Sequence, residues 1–221
     1  MMGADEVYES IKNRILKLEL EPGKKISENQ MCQEYNLSRS VIRIVFTRLS
    51  EVNLVDIAPQ RGTYVSLFEL RHIEDLQILR TAVEKEVLFH MFAKLSKEEI
   101  LEVVNKLKEN LNEQRKYINY SNYDSGFEKL DYDFHSILCN SVKLTGIMGL
   151  ISNSMIHLER WRNFNVAFDN RIPELIGEHA KMIEAIEEGS LIKSQEAITN
   201  HLETVSAMDK RAKAKYPQYF K

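Results

Sequence analysis

Leu37-Ser38-Arg39-Ser40-Val41-Ile42-Arg43-Ile44-Val45-Phe46-Thr47-Arg48-Leu49 is the stretch on which the reading of the fold turns. Wound as a helix at about 100° per residue, it places Ile42, Val45, Phe46 and Leu49 on one apolar face, with Val52 extending it. Ser40, Arg43, Ile44 and Thr47 cluster on the opposite face, with Arg39 and Arg48 at its margins. An apolar side locked to a core and a side of small, hydroxyl and guanidinium groups suit a helix that enters the major groove. Arg43 can reach guanine N7 and O6, Ser40 and Thr47 can reach bases or phosphates, and Ile44 can meet a thymine methyl. A merely solvated face is the alternative that periodicity leaves open, although such faces usually carry more Glu and Lys.

The flanks of this stretch complete a pattern. Val7, Ile11, Ile15 and Leu18 recur at helical spacing and predict an amphipathic helix over 5–20, stopped by Glu21-Pro22-Gly23. Ser27, with Glu28 in the first turn, opens a short helix through Tyr35, and Ser38 is placed to cap the third helix, which runs to about Asn53. Leu54-Val55-Asp56-Ile57 and Thr63-Tyr64-Val65-Ser66, around the turn Ala58-Pro59-Gln60-Arg61-Gly62, read as a β-hairpin. Three short helices and a hairpin are the order of a winged helix-turn-helix. Residues 10–66 carry nine Lys and Arg against six acids, inside a chain whose net charge is −3. That local excess is mild, so the placement of the charges matters more than their number.

The whole chain has 221 residues, 43% hydrophobic and 29% charged, which excludes wholesale disorder and allows two domains. Only 8 Gly and 4 Pro argue against an all-β fold. Two distant cysteines, Cys32 and Cys139, point to a reducing compartment. The acidic start MMGADEVYES lacks the apolar core of a signal peptide, and no run approaches the roughly 18 apolar residues of a membrane span. The expectation is a cytoplasmic protein without a membrane partner.

Beyond Phe68 strand signals vanish. Helical runs cover about 68–94, 97–117, 127–141, 144–166, 171–188 and 191–214, with a polar loop at 119–126. Ser96-Lys97-Glu98-Glu99 is a capping-box pattern. The fold class is therefore mainly α: a winged helix-turn-helix over 1–68, then an all-α antiparallel bundle over 69–221.

Six histidines carry the chemistry of the second part. Asp131 and His135, at i and i+4, project from one helix face. His179 and His201 lie on later helices, each beside its apolar stripe: Met182 and Ile183 for the first, Leu202 and Val205 for the second. Such histidines are either hydrogen-bonded core residues or ligands that facing helices bring together. Spacing alone leaves both open.

At this point the residues carry a resemblance. Leu20-Glu21-Pro22-Gly23, Leu37-Ser38-Arg39-Ser40-Val41-Ile42-Arg43, Arg48-Leu49 and Pro59-Gln60-Arg61-Gly62-Thr63-Tyr64-Val65 resemble the GntR family of bacterial transcription regulators. The resemblance implies DNA contacts from Arg39, Ser40 and Arg43 in the third helix, and from Arg61 and Gly62 in the wing. Two positions depart from the family pattern: Asn29 stands where some members have a DNA-touching arginine, and Ile44 where many have Glu. Leu130-Asp131-Tyr132-Asp133-Phe134-His135, Glu178-His179 and His201-Leu202 are similar to the metal-binding FCD domain of FadR-type members, whose opening Arg80 and Glu84 also match. That likeness implies a divalent ion on Asp131, His135, His179 and His201, with a carboxylate effector on the remaining positions. It also argues against the fatty-acyl-CoA branch, which lacks the histidine set.

Three imidazoles and one carboxylate suit Zn, Ni, Mn, Fe or Co. Arg80, Arg160 and Arg162 are candidates to hold the carboxylate of a small organic acid effector, because the guanidinium fork matches it. The implied protein is a DNA-binding regulator, a repressor, working as a homodimer on a near-palindromic operator. The rival reading is a metal-dependent hydrolase with Glu84 or Asp133 as base. It leaves the winged helix unexplained, and no H-E-x-x-H motif is present. A third reading, a bundle that only dimerises, leaves the histidine set without a purpose.

Overall fold

In the computed structural model of the chain, residues 3–120, 125–169, 171–203 and 209–221 are described. They divide into two compact units. The first holds the N-terminal residues to Ile73, together with 153–164 and 209–221; the second holds Glu74–Ser152 and the chain from Asn165 to Met208.

The first unit opens with α1 (Ala4–Leu16), β1 (Lys25–Ile26), α2 (Glu28–Tyr35), α3 (Arg39–Glu51), β2 (Val55–Ala58) and β3 (Gly62–Val65). The strands form an antiparallel sheet in the order β1-β3-β2, with Lys25 opposite Tyr64 and Val55 opposite Val65. This is a winged helix-turn-helix. Ile42, Val45, Phe46 and Leu49 of α3 are fully buried against Val7, Ile11 and Ile15 of α1, as the periodicity requires. Truncating one such residue, Phe46 for instance, carries a cost of roughly 3–5 kcal/mol.

Details differ from the sequence expectation. α1 ends at Leu16, because Leu18 takes a left-handed φ of 61° that turns the chain before Glu21-Pro22. β1 was not foreseen: two residues are too few to show an alternation. Ser27 caps α2 by accepting from the Gln30 amide. Ser38 stands at the N-cap of α3, but its hydroxyl pairs with that of Ser40 at 2.8 Å instead of an amide.

The later segments complete this unit. The C-terminal carbonyls of a helix have no partner within it, and side chains at 153–164 supply some. His157 Nε2 donates to the Val52 carbonyl at 2.9 Å, and Asn163 Nδ2 to that of Leu16 at 3.0 Å. The C-terminal residues pair with the chain after the wing: the Phe68 amide donates to Tyr219, and the Lys221 amide to Phe68. Phe68, Trp161, Phe164 and Phe220 form an aromatic cluster there, with ring centroids 5.3–6.1 Å apart.

The second unit is a helical bundle. Its helices are α4 (Leu70–Lys94), which begins in the first unit, α5 (Lys97–Arg115), α6 (Ser125–Ser141), the two ends of α7 (Thr145–Asp169), α8 (Ile172–Glu187) and α9 (Leu191–Glu203). The expected capping box at Ser96 and Glu99 is present. The core is built from Leu88 and Met91 of α4, Leu107 of α5, Phe127, Phe134 and Leu138 of α6, Ile172 and Met182 of α8, and Ile198 and Leu202 of α9. The span expected as one helix over 191–214 is described as α9 and as α10 (Asp209–Lys215); 204–208 lie outside the described residues, as do 121–124 of the expected polar loop.

His157 makes the first unit pH-sensitive. Burial pushes its imidazole down to about 4, although the bond to Val52 works the other way. The unfolded chain protonates this group near 6.5, so the folded state loses stability as pH falls from about 6.5 toward 4. Between pH 7 and pH 4.5 the stability gap between wild type and His157→Asn should narrow by roughly 1–3 kcal/mol. Urea unfolding followed by Trp161, the single tryptophan, reads this directly.

Candidate DNA interface and metal centre

The outward face of α3 is as exposed as the sequence implies. Arg39, Ser40, Arg43, Ile44 and Thr47 are all solvent-facing, and Ile44 is 56% exposed. Thr47 Oγ1 donates to the Arg43 carbonyl at 2.9 Å, which leaves its oxygen able to accept. Arg48, expected at the margin, is instead bound to α1: it donates to Asp5 at 2.6 Å and lies 4.3 Å over the Tyr8 ring. Arg43 is held by Glu28, the first residue of α2, whose two carboxylate oxygens accept from Arg43 Nε at 3.0 and 3.1 Å.

The wing tip carries Arg61, exposed, and Gly62 with φ at 118°, a conformation that side chains rarely adopt. A Cβ at Gly62 would stand 2.7 Å from Lys25 Cε. Lys25 is a basic residue of this face that sequence reasoning missed. It lies on the unforeseen β1, with its ammonium 5.7 Å over the Tyr64 ring. Its only signal was membership of Lys24-Lys25.

In the bundle, Asp131 and His135 of α6, His179 of α8 and His201 of α9 come together. One ligand atom from each lies within 4.8 Å of all the others, and all four residues are buried. The i, i+4 spacing sets the first two on one face of α6, and α8 and α9 pack alongside. Each imidazole donates Nδ1–H outward, a tautomer assigned from its partner. His135 donates to Glu84 Oε2 at 2.6 Å, His201 to Glu178 Oε2 at 2.8 Å, and His179 to Gln114 Oε1 at 2.7 Å. These acceptors are themselves held. Arg80 Nε donates to Glu84 at 2.6 Å, Arg171 to Glu178 at 3.0 Å, and Gln114 to Asn110 at 2.7 Å.

The inner atoms are therefore the Nε2 lone pairs. Those of His135 and His201 are 3.3 Å apart, and that of His179 is 3.6 Å from Asp131 Oδ1. Two neutral imidazole acceptors facing each other at that distance repel unless a cation lies with them. The donor set thus fits a divalent ion, and such outer hydrogen bonds are what orient metal-binding imidazoles. Burial alone would raise the Glu84 carboxyl, but the hydrogen bonds from His135 and Arg80 and the guanidinium charge hold it well below the usual range. Phe134 stacks on His179 at 4.1 Å and closes that side with an apolar ring.

Of the three arginines expected at the effector, Arg80 belongs to this unit. Arg160 does not: it is 1% exposed within the first unit, donates to Ser66 Oγ at 3.0 Å and Ser66 O at 2.8 Å, and stacks 4.7 Å over Phe68. Its guanidinium is committed to packing, and burial pushes its pKa down to about 10. Arg162 lies on the same segment of α7. Glu84, which the rival reading made a base, is the partner of His135. Asp133 is half-buried on α6, lines a cleft with Lys106 and Glu113 of α5, and takes no place in the cluster. Gln114 and Arg171 went unnoticed and Glu178 was read only as part of the family pattern, because nothing in a sequence shows which helix will stand behind a given imidazole.

A winged helix-turn-helix joined to a helical bundle with a buried Asp/His cluster defines a class of bacterial regulator. The N-terminal residues 4–65 match the model of bacterial regulatory proteins of the gntR family, and 75–204 match the FCD domain. The chain belongs to the GntR family and carries an FCD domain; it is a transcription regulator and not an enzyme. It is 25% identical over 217 residues to the HTH-type transcriptional repressor RspR of Escherichia coli, covering 97% of this chain and 92% of that one. It is 28% identical over 216 residues to an HTH-type regulator of Streptomyces ambofaciens, covering 97% and 88%. Among solved structures, Escherichia coli McbR/YncC superposes with a TM-score of 0.69 at 14% identity, covering 96% of this chain and 99% of that one. A GntR protein of Rhodococcus sp. RHA1 gives 0.67 at 20%, covering 95% and 98%; at such identities the likeness speaks for the fold alone. The first domain implies DNA binding and the second a small-molecule effector. No described helix is long and apolar enough to cross a membrane.

The network behind the cluster predicts a stability effect. Glu84→Ala removes the only carboxylate described on the largely buried Arg80 and the acceptor of His135. Chemical denaturation should show a loss of about 3–5 kcal/mol, the range for breaking one side of a buried pair. Glu84→Gln, which keeps an acceptor, should lose less.

Proposed function

We propose that this regulator is a metal-containing repressor that acts as a homodimer in the cytoplasm and leaves its operator when a small organic acid binds in the bundle. The observation that carries the reading is the convergence of three Nε2 lone pairs and Asp131, each imidazole held from behind. Asp131, His135, His179 and His201 hold the ion, of the Zn, Ni, Mn, Fe or Co group. Bound there, a divalent ion supplies open positions that a chelating carboxylate fills. Arg80 orients that carboxylate, while its Nε stays on Glu84. The name of RspR supports the sign of regulation.

The two tasks divide near residues 68–74. Residues 1–68 bind DNA, and the bundle within 69–221 binds the effector and the partner copy, while 153–164 and 209–221 complete the N-terminal unit. In the first, Arg39, Ser40, Arg43, Ile44 and Thr47 enter the major groove, while Arg61, Gly62 and Lys25 meet the backbone beside it. In the second, Ile78, Leu79 and Phe89 of α4 and Ile192 of α9 expose apolar surface. Gln195 of α9 donates to the Lys85 carbonyl of α4, so these helices are neighbours. A second copy covers this face, and the two recognition helices then read the halves of a near-palindrome.

Elemental analysis of protein purified without chelator tests the site. About one divalent ion per chain is expected, and its removal should lower the melting temperature, because whatever binds only the folded state stabilises it. His179→Ala should lack the ion, and a screen of organic acids should then give no thermal shift. Wild-type protein that contains no metal yet still responds to a carboxylate overturns the reading. On the DNA side, Arg43→Ala should weaken operator binding by roughly 1–3 kcal/mol without loss of fold, since the side chain points away from the core.

A further inference from the structure

The Glu28–Arg43 pair is unusual for a surface ion pair. Arg43 is 66% exposed and Glu28 33%, and an exposed pair of this kind contributes little to stability. Glu28 also sets a negative charge on the face that must meet phosphates, which opposes binding unless that charge is engaged. Its position is fixed. It is the first residue of α2, directly after the Ser27 cap, and α2 packs on α3 through a common core. Both carboxylate oxygens take the same Arg43 atom, Nε. Among the described residues no other hydrogen bond engages this guanidinium. The two terminal amino groups are therefore the donors left for a ligand, and two donors side by side are what guanine N7 and O6 accept.

We infer that Glu28 is a positioning residue for base readout: it grips Arg43 by Nε and aims the two terminal amino groups at one guanine. This rests on the reading of α3 as the recognition helix. A long arginine has several rotamers, and fixing it before binding removes part of the entropy lost on contact. It also narrows the bases that the side chain can satisfy. Without Glu28 the same arginine swings to whichever phosphate or acceptor is nearest, so the residue keeps its charge for DNA but loses its selectivity. Glu28 thus lowers general affinity and raises discrimination.

The test uses the full chain and a randomised double-stranded DNA library, sequenced after selection by wild type, Arg43→Ala, Glu28→Ala and Glu28→Gln. Circular dichroism and melting temperature confirm the fold of each variant. Wild type should select a site with a guanine that Arg43→Ala no longer prefers. Glu28→Ala should flatten the same position by roughly tenfold or more, while binding to random-sequence duplex stays equal or rises. Glu28→Gln keeps one acceptor and should fall between. In the Arg43→Ala background, Glu28→Ala should change no preference. If Glu28→Ala and Glu28→Gln retain the guanine that Arg43→Ala loses, the positioning role is overturned and the recognition helix stands. If Arg43→Ala flattens no position, the reading of Arg43 as a base reader fails, and the inference with it.

Discussion

Four polar side chains, Asp131, His135, His179 and His201, lie almost dry in the middle of the helical bundle, beside Phe134 and Leu202. Burying such groups in an apolar interior is unfavourable unless each finds a partner. The outward nitrogens find theirs in Glu84, Glu178 and Gln114, and these draw in Arg80, Arg171 and Asn110. The requirement therefore propagates through α4, α5, α6, α8 and α9. Helix faces that an apolar core would fill with Leu or Ile carry amides and ion pairs instead. The inner nitrogens of His135 and His201 stand 3.3 Å apart, and a cation between them would relieve the repulsion of two facing lone pairs. A bundle of this design has its polar centre and its stability tied together.

The first unit solves a different problem with the same means. α1 and α3 end inside packed structure, where their last carbonyls cannot all reach water. His157 and Asn163 of α7 reach Val52 and Leu16 and satisfy them. The chain after the wing is held in turn by the C-terminal residues through Phe68. Segments far apart in sequence thus complete the N-terminal fold, and one of them, α7, contributes residues to both units.

That completion is where the sequence was least legible. α3 could be read outright: Ile42, Val45, Phe46 and Leu49 are buried and Arg43 and Thr47 exposed because a 3.6-residue period has one solution once its apolar face is known. That Asp131, His135, His179 and His201 come together was legible from residue type, the i, i+4 pair of Asp131 and His135 and the family pattern together. Arg160 was misjudged for a physical reason. Glu159-Arg160-Trp161-Arg162 looks like a solvated helix surface or an anion clamp, and only the fold places Ser66 and Phe68 against its guanidinium. β1 was invisible because a two-residue strand has no pattern of its own; β3 confers its structure. Glu84, Gln114 and Glu178 share this dependence on a partner that sequence distance conceals.

The two functional surfaces differ in what they demand of folding. The surface proposed to meet DNA is made of exposed side chains whose removal leaves the core of α3 untouched, so selection can change its residues one at a time. Asn29 and Ile44, which depart from the family pattern, lie on that adjustable surface. The Asp/His centre allows no such freedom. Each imidazole is held from behind by a group that is itself held, so a change at one position leaves a buried donor or charge unmatched at the next. A regulator built this way can acquire a new operator by surface substitution while its bundle chemistry stays the same. The rigidity of the centre also bears on the proposed effector: a site whose members are fixed through five helices would not accommodate an added carboxylate locally, and would pass the adjustment on to the packed elements around it.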